Sequence, residues 1–178
     1  MSRTLFDAAG VLAPKLRPAS YPASRNLTSD DLELGKAAEH LVCADLIMQG
    51  YRAFLSDQGL PYDIVVDVEG AFVRIQVKAT RRPKNPSPGT RLTVGYFFHL
   101  RRAGKGGRRR YPPDAFDLYA LVAMDRQAIA YLTPAECHYQ TVAIRVPGLK
   151  YYRKGGASRD FEGTTFERAL GLHFERDR

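Results

Sequence analysis

The sequence predicts an α/β (α+β) domain, a central mixed β-sheet flanked by helices. Three observations predict it. From Leu34 to Met48, apolar side chains recur at helical period. From Tyr51 to Val146, short runs rich in β-branched and aromatic residues alternate with turns that carry glycine or proline. A second amphipathic stretch, from Phe166 to Phe174, follows the last of these runs. At 178 residues and 44% apolar content, the chain can bury one real core and not obviously two.

Residues 1–27, with Pro14, Pro18 and Pro22, are expected to be a flexible N-terminal arm, and 28–178 a single domain. Met1 to Ser24 lack an apolar core segment and a small-residue cleavage site, so no secretory signal is expected. No run approaches the ~20 apolar residues that span a bilayer, so no membrane partner is expected.

The first helix starts at Thr28 or Ser29, whose hydroxyls accept from exposed N–H groups. Asp30, Asp31 and Glu33 suit the positive helix end. Its apolar stripe is Leu34, Ala37, Ala38, Leu41, Val42, Leu46 and Met48, and Gly50 ends it. Asp45 and His40 read as surface or helix-packing residues. Tyr51–Leu55 is a first strand and Asp63–Val68 a second. Glu69-Gly70 is a tight hairpin turn into a third strand, Ala71–Thr80. In that strand Ala71, Val73, Ile75, Val77 and Ala79 share one face. Phe72, Arg74, Gln76, Lys78 and Thr80 share the other.

A proline-bearing loop, 81–91, leads to a fourth, aromatic-rich strand, Leu92–Leu100. A basic loop runs from Arg101 to Pro113. Phe116–Met124 and Ala128–Leu132 are two buried strands joined at Asp125-Arg126, and Pro134-Ala135-Glu136 is a helical turn. Thr141–Val146 is a further strand and Tyr151–Thr164 a loop. A short last helix is expected to cap the sheet with Phe166, Leu170, Leu172 and Phe174, against the helix-weakening Gly171.

Net charge is +8 and unevenly spread. Between Arg101 and Arg110 stand six basic residues, Arg101, Arg102, Lys105, Arg108, Arg109 and Arg110, and no acid. Arg81, Arg82 and Lys84 form a second cluster, and Lys150, Arg153 and Lys154 a third. Tyr96, Phe97, His99, Tyr111, Tyr151 and Tyr152 flank these groups. Clustered Arg and Lys beside aromatic rings suit phosphates and sugars, so nucleic acid is the expected partner. The plain alternative is a solvated basic loop. Two cysteines, Cys43 and Cys137, without a secretion signal imply free thiols and a cytoplasmic location.

The chemistry-bearing residues lie on the hairpin. Asp63 sets a carboxylate at the start of the second strand. Thirteen residues later, Gln76 and Lys78 set an amide and an ammonium two apart on the third. If those strands pair, the three converge. Hard cations such as Mg²⁺ take oxygen ligands and keep several waters, so one or two carboxylates suffice. Asp63, the Gln76 amide oxygen and the Val77 backbone carbonyl can serve, with Lys78 orienting a water or holding developing charge. Glu39, on the helix, can hold a metal through water, with Gly35 one turn before it allowing close approach. Each residue alone has an ordinary reading: a strand start for Asp63, an exposed strand face for Gln76 and Lys78, and a solvated partner of Lys36 for Glu39.

Glu39, Pro61-Tyr62-Asp63 and Gln76-Val77-Lys78, in that order on a helix and a hairpin, resemble the PD-(D/E)XK nuclease superfamily. Gln76 stands where that family usually carries an acid. The Gln-x-Lys form is similar to the branch of bacterial group I-intron-associated homing endonucleases, as are Ala115–Leu121 and Ile129–Pro134. The resemblance covers roughly Leu34 to Glu136. It implies a restriction-endonuclease-like core and a Mg²⁺-dependent endonuclease, with Mn²⁺ as a substitute, acting on double-stranded DNA. Glu39, Asp63, Gln76 and Lys78 would be catalytic, and Asp63, Gln76, Val77 and Glu39 would hold metal. One site per chain against two strands favours a homo-oligomer, a dimer or tetramer. A nuclease-like module that binds nucleic acid without cutting it, and a basic protein-interaction module, are the other readings.

Overall fold

The computed structural model describes residues 30–85, 94–101, 111–149 and 159–176. The expected arm at 1–27, the caps Thr28 and Ser29, the centre of the basic loop and the Lys150, Arg153 and Lys154 cluster lie outside the described residues.

Helix α1 spans Asp30–Met48. Gly50, at φ +95°, takes the left-handed conformation that turns the chain off its end. Ala38, Val42 and Leu46, spaced four apart, form its fully buried row. The expected stripe was too wide: Ala37 and Met48 are exposed, because they lie off that row.

Strands β1 (Arg52–Leu55), β2 (Ile64–Val68) and β3 (Ala71–Thr80) form an antiparallel meander. Glu69 and Gly70 both have positive φ, 51° and 88°, which matches the twist of a two-residue hairpin. Asp67 Oδ1 accepts from the Gly70 N–H at 2.9 Å and seals the turn. The chain then makes β4 (Gly95–His99) before returning as β5 (Leu118–Ala123), parallel to β3. β6 (Ala128–Leu132) pairs antiparallel with β5. The sheet is therefore mixed, in the order β1-β2-β3-β5-β6.

The fourth strand does not join this sheet. β4 pairs with β7 (Thr141–Arg145) as a separate two-stranded sheet. Tyr96 and Phe98 of β4 and Val142 and Ile144 of β7 pack on Tyr119, Leu121, Ala130 and Leu132. On the opposite sheet face α1 and helix α2 (Phe166–Arg176) cover Ile64, Val66, Val73, Ile75, Val77, Leu118 and Ala120. Each such aliphatic burial stabilises by about 1.5–3 kcal/mol, so the central strands are held from both sides. Ile75→Ala would cost about 2–5 kcal/mol.

α2 buries Phe166 and Ala169, with Phe166 edge-on to Tyr51 and Tyr131 at 4.8 and 5.3 Å. Leu172 and Phe174, expected to cap the sheet, are instead partly exposed, because the helix touches the sheet only through its first turns. Gly171 does not break it. Asp45 is a helix-packing residue: Tyr131 donates to its carboxylate at 3.0 Å, tying α1 to β6. Among the described residues no helix is long and apolar enough to cross a membrane.

Candidate active site on the β2–β3 hairpin

The antiparallel register pairs Ile64 with Ile75, so Asp63, one residue earlier, reaches the middle of β3. Its backbone N–H donates to the Ile75 carbonyl at 2.9 Å and its own carbonyl accepts from Ser56. The side chain is thereby fixed at the mouth of the hairpin. Asp63 Oδ2 accepts from the Val77 N–H at 2.7 Å and from Gln76 Nε2. Gln76 Nε2 also donates to the Val77 carbonyl at 3.2 Å. Of the three residues expected to converge, Asp63 and Gln76 meet and the Val77 carbonyl joins them, whereas the Lys78 ammonium bonds Tyr111 and reaches Asp63 only through its charge.

Gln76 and Lys78 share the sheet face opposite the aliphatic one, but that face is not solvated here. Gln76 is only 5% exposed, with its amide turned onto Asp63 and the Val77 carbonyl. Lys78 Nζ donates to Tyr111 Oη at 2.8 Å and stands 5.0 Å from the Tyr111 ring centroid. Burial pushes the Lys78 pKa below the ordinary lysine value, against the opposing pull of Asp63. Burial likewise pushes Asp63 up. The Val77 N–H pulls it down, the Glu39 charge raises it, and Lys78 and Lys36 lower it, leaving a net rise.

Glu39 sits on α1 and its carboxylate pairs with Lys36 Nζ at 2.8 Å. The ordinary reading of Glu39 therefore describes its contact, while its charge still acts on Asp63. Gly35 does not serve a close approach: a Cβ there would meet nothing within 4 Å. Arg81, Arg82 and Arg101 are exposed, the first two just past β3 and three to four residues beyond Lys78. Arg102, Lys105, Arg108, Arg109 and Arg110 lie outside the described residues. Cys43 and Cys137 are free thiols, and burial raises the Cys137 pKa to about 12.

A hard cation at this point would draw on oxygen donors. Among the described residues no three His, Cys, Asp or Glu side chains cluster, so carboxylates alone do not make a site. The oxygens present are one Asp63 carboxylate, the Val77 carbonyl and the Gln76 amide. The Gln76 NH₂ group donates to both of the first two. A half-turn of the amide presents Oε1 as a third oxygen.

Two neighbours escaped the sequence reading. In sequence Tyr111 is an aromatic flank of the basic loop, yet in the fold it touches Lys78. Arg74, on the same face of β3, donates to Asp117 through Nε at 3.0 Å and Nη2 at 2.9 Å, and to the Asp114 carbonyl at 2.9 Å. An Arg on an otherwise interacting strand face and an Asp before a buried strand were the available signals.

A family model described as PD-(D/E)XK endonuclease matches residues 30–154, beyond both ends of the motif-bearing stretch. No match was found among the curated proteins. Among solved structures, a bacterial homing endonuclease, I-Ssp6803I, is similar with TM-score 0.60 and 18% identity, over 85% of this chain and 98% of that chain. At that identity the likeness is one of fold, a mixed sheet with flanking helices arranged as in restriction endonucleases.

Proposed function

The chain belongs to the PD-(D/E)XK endonuclease family, and from that premise we propose that it hydrolyses phosphodiester bonds of double-stranded DNA with Mg²⁺, or Mn²⁺ in its place. The observation that carries the reading is the meeting of Asp63, the Gln76 amide and the Val77 carbonyl at one point, with Lys78 on the same sheet face. Asp63, Gln76 and Val77 would hold the cation, and Glu39 would join through water once its Lys36 pair opens. A cation held there would neutralise charge on the phosphate and lower the pKa of a bound water.

The chain's own groups have separate tasks. The Val77 N–H keeps Asp63 pointed into the site. Lys78, held by Tyr111, presents an ammonium to the developing negative charge or orients the attacking water. Arg81, Arg82 and Arg101 supply exposed guanidinium groups for backbone phosphates, and Arg102, Lys105, Arg108, Arg109 and Arg110 extend that set in sequence. One site per chain cuts one strand, so a homodimer or tetramer would cut both.

Plasmid incubated with purified protein and Mg²⁺ should be nicked or linearised, and Asp63→Ala should abolish this. Equal cutting by both proteins, or none by either across metals and DNA forms, would sink the reading. A second reading, binding without cutting, is favoured by Gln76: with an amide in place of an acid, the metal site has one negative charge fewer. It predicts salt-dependent DNA binding with no cleavage.

A further inference from the structure

Lys78 is held by a chain of rings that starts beside Gln76. In the parallel β3–β5 ladder Gln76 lies opposite Tyr119, one inter-strand spacing of about 4.8 Å away and on the same face. Tyr119 packs edge-on against Phe116 with centroids 4.6 Å apart. Phe116 packs edge-on against Tyr111 at 5.1 Å. Tyr111 Oη accepts from Lys78 Nζ at 2.8 Å. The path leaves β3 at Gln76 and returns to it two residues later.

The segment bearing these rings is tied to the same strand. Arg74 makes paired hydrogen bonds to the Asp117 carboxylate and a third to the Asp114 carbonyl. Asp117 Oδ2 also accepts from the Arg74 N–H at 2.8 Å, and the Asp117 N–H donates to the Arg74 carbonyl at 2.9 Å. Residues between Tyr111 and β5 are therefore anchored to the strand that carries Lys78. Tyr111 is not close-packed all round, for it also lines a cavity of about 160 Å³. Its place over Lys78 depends on specific contacts.

We propose that Tyr111, braced by Phe116 and Tyr119, is the positioning residue that aims the Lys78 ammonium at the scissile phosphate. The proposal rests on the nuclease reading for its consequence and on contacts alone for its geometry. The phenol oxygen fixes where the ammonium points, and the rings fix where the phenol lies. A lysine stem has four rotatable bonds, so without this acceptor the ammonium would spread over several positions.

Tyr111→Phe removes the acceptor and keeps the ring, so the fold survives. It is expected to lower kcat roughly tenfold or more, with KM for DNA within about twofold of wild type. Phe116→Leu, which keeps both Lys78 and the phenol but frees the phenol to move, should lower kcat in the same direction. A packing role alone predicts wild-type kcat for Tyr111→Phe, and that result would overturn the proposal. A second measurement needs no cleavage. In ¹⁵N-edited spectra of the lysine ammonium groups, without metal or DNA, the Lys78 signal should shift and its protons should exchange faster in Tyr111→Phe. An identical signal in the two proteins would overturn the brace. If wild type cuts no DNA while the Lys78 signal moves as expected, the nuclease reading fails and the brace stands.

Discussion

Replacing Gln76 with glutamate restores the family's usual acid and should make the metal-free protein less stable by an amount that can be worked out. Gln76 Nε2 donates to Asp63 Oδ2, and Gln76 is 5% exposed. Glutamate there puts two carboxylates in contact with little water between them. Two unit charges about 3 Å apart at an effective dielectric of about 20 repel by roughly 5 kcal/mol. Protonating one of them at pH 7 costs about 1.4 kcal/mol for each pH unit above its ordinary pKa, or ~4 kcal/mol for glutamate. Protonation is the cheaper escape, so the pair shares a proton and Gln76→Glu loses roughly 3–4 kcal/mol at pH 7. Burial already holds Asp63 above the usual carboxylate range, which favours the same outcome. A carboxyl raised in the folded state costs nothing below its unfolded pKa and more with each unit above it. The loss should therefore fade near pH 4 and be largest at neutral pH. For a chain of this size it corresponds to a Tm lower by about 6–15 °C. Millimolar Mg²⁺ should recover most of it, because a cation between the two carboxylates removes their repulsion. Thermal unfolding followed by circular dichroism at pH 4.5 and 7, with EDTA and then with Mg²⁺, measures each part. A variant as stable as wild type in EDTA at pH 7 would mean that positions 63 and 76 do not meet, and the site reading would go with them.

Three further outcomes are expected. Burial pushes Asp117 up, but the Arg74 hydrogen bonds and charge pull it below the ordinary carboxylate value, so its stabilisation is present above about pH 4 and lost as pH falls. Asp117→Asn should cost about 1–3 kcal/mol at pH 7 and flatten the acid limb of stability against pH in urea titrations. Glu69, at φ +51°, is strained for a residue with a side chain, so Glu69→Gly should stabilise by about 0.5–1 kcal/mol, and Gly70→Ala at φ +88° should destabilise by a similar amount, both read as shifts in urea midpoint. Arg81→Ala and Arg82→Ala should each lower the slope of log Kd for DNA against log salt by about one; unchanged slopes would remove the end of β3 from the interface.

The hairpin was the most legible part of the molecule. Its β-branched run, its Glu-Gly turn and its alternation are local signals, and each sits inside a window of about twenty residues. They sufficed to bring Asp63 to Gln76. The separate β4–β7 sheet was not legible, because strand patterning says which residues extend and not which distant strand they meet. His99 pairs with Thr141 across a gap that no periodicity spans. The burial of Gln76 was missed as well, because alternation along a strand separates its two faces without saying that both are covered. Tyr111 was hidden by distance: its partner lies 33 residues earlier, and an aromatic beside arginines reads equally well as a base-stacking group. In α2 the apolar pattern over-assigned burial, since Leu172 and Phe174 extend past the sheet that Phe166 reaches.

The parallel pairing of β3 with β5 has a consequence for how the protein acquires its activity. Asp63 and Gln76 are 13 residues apart, so a local hairpin brings them together in microseconds. The Tyr111 contact spans 33 residues and the Arg74–Asp117 contact 43, across a crossover that must also deliver β4 to a different sheet. Closing loops of that length comes later and with greater entropic cost. The residues proposed to bind metal should therefore find one another before the lysine is aimed. Refolding after dilution from urea should show metal binding recovering ahead of cleavage, with the interval set by the docking of residues 111–123 onto β3.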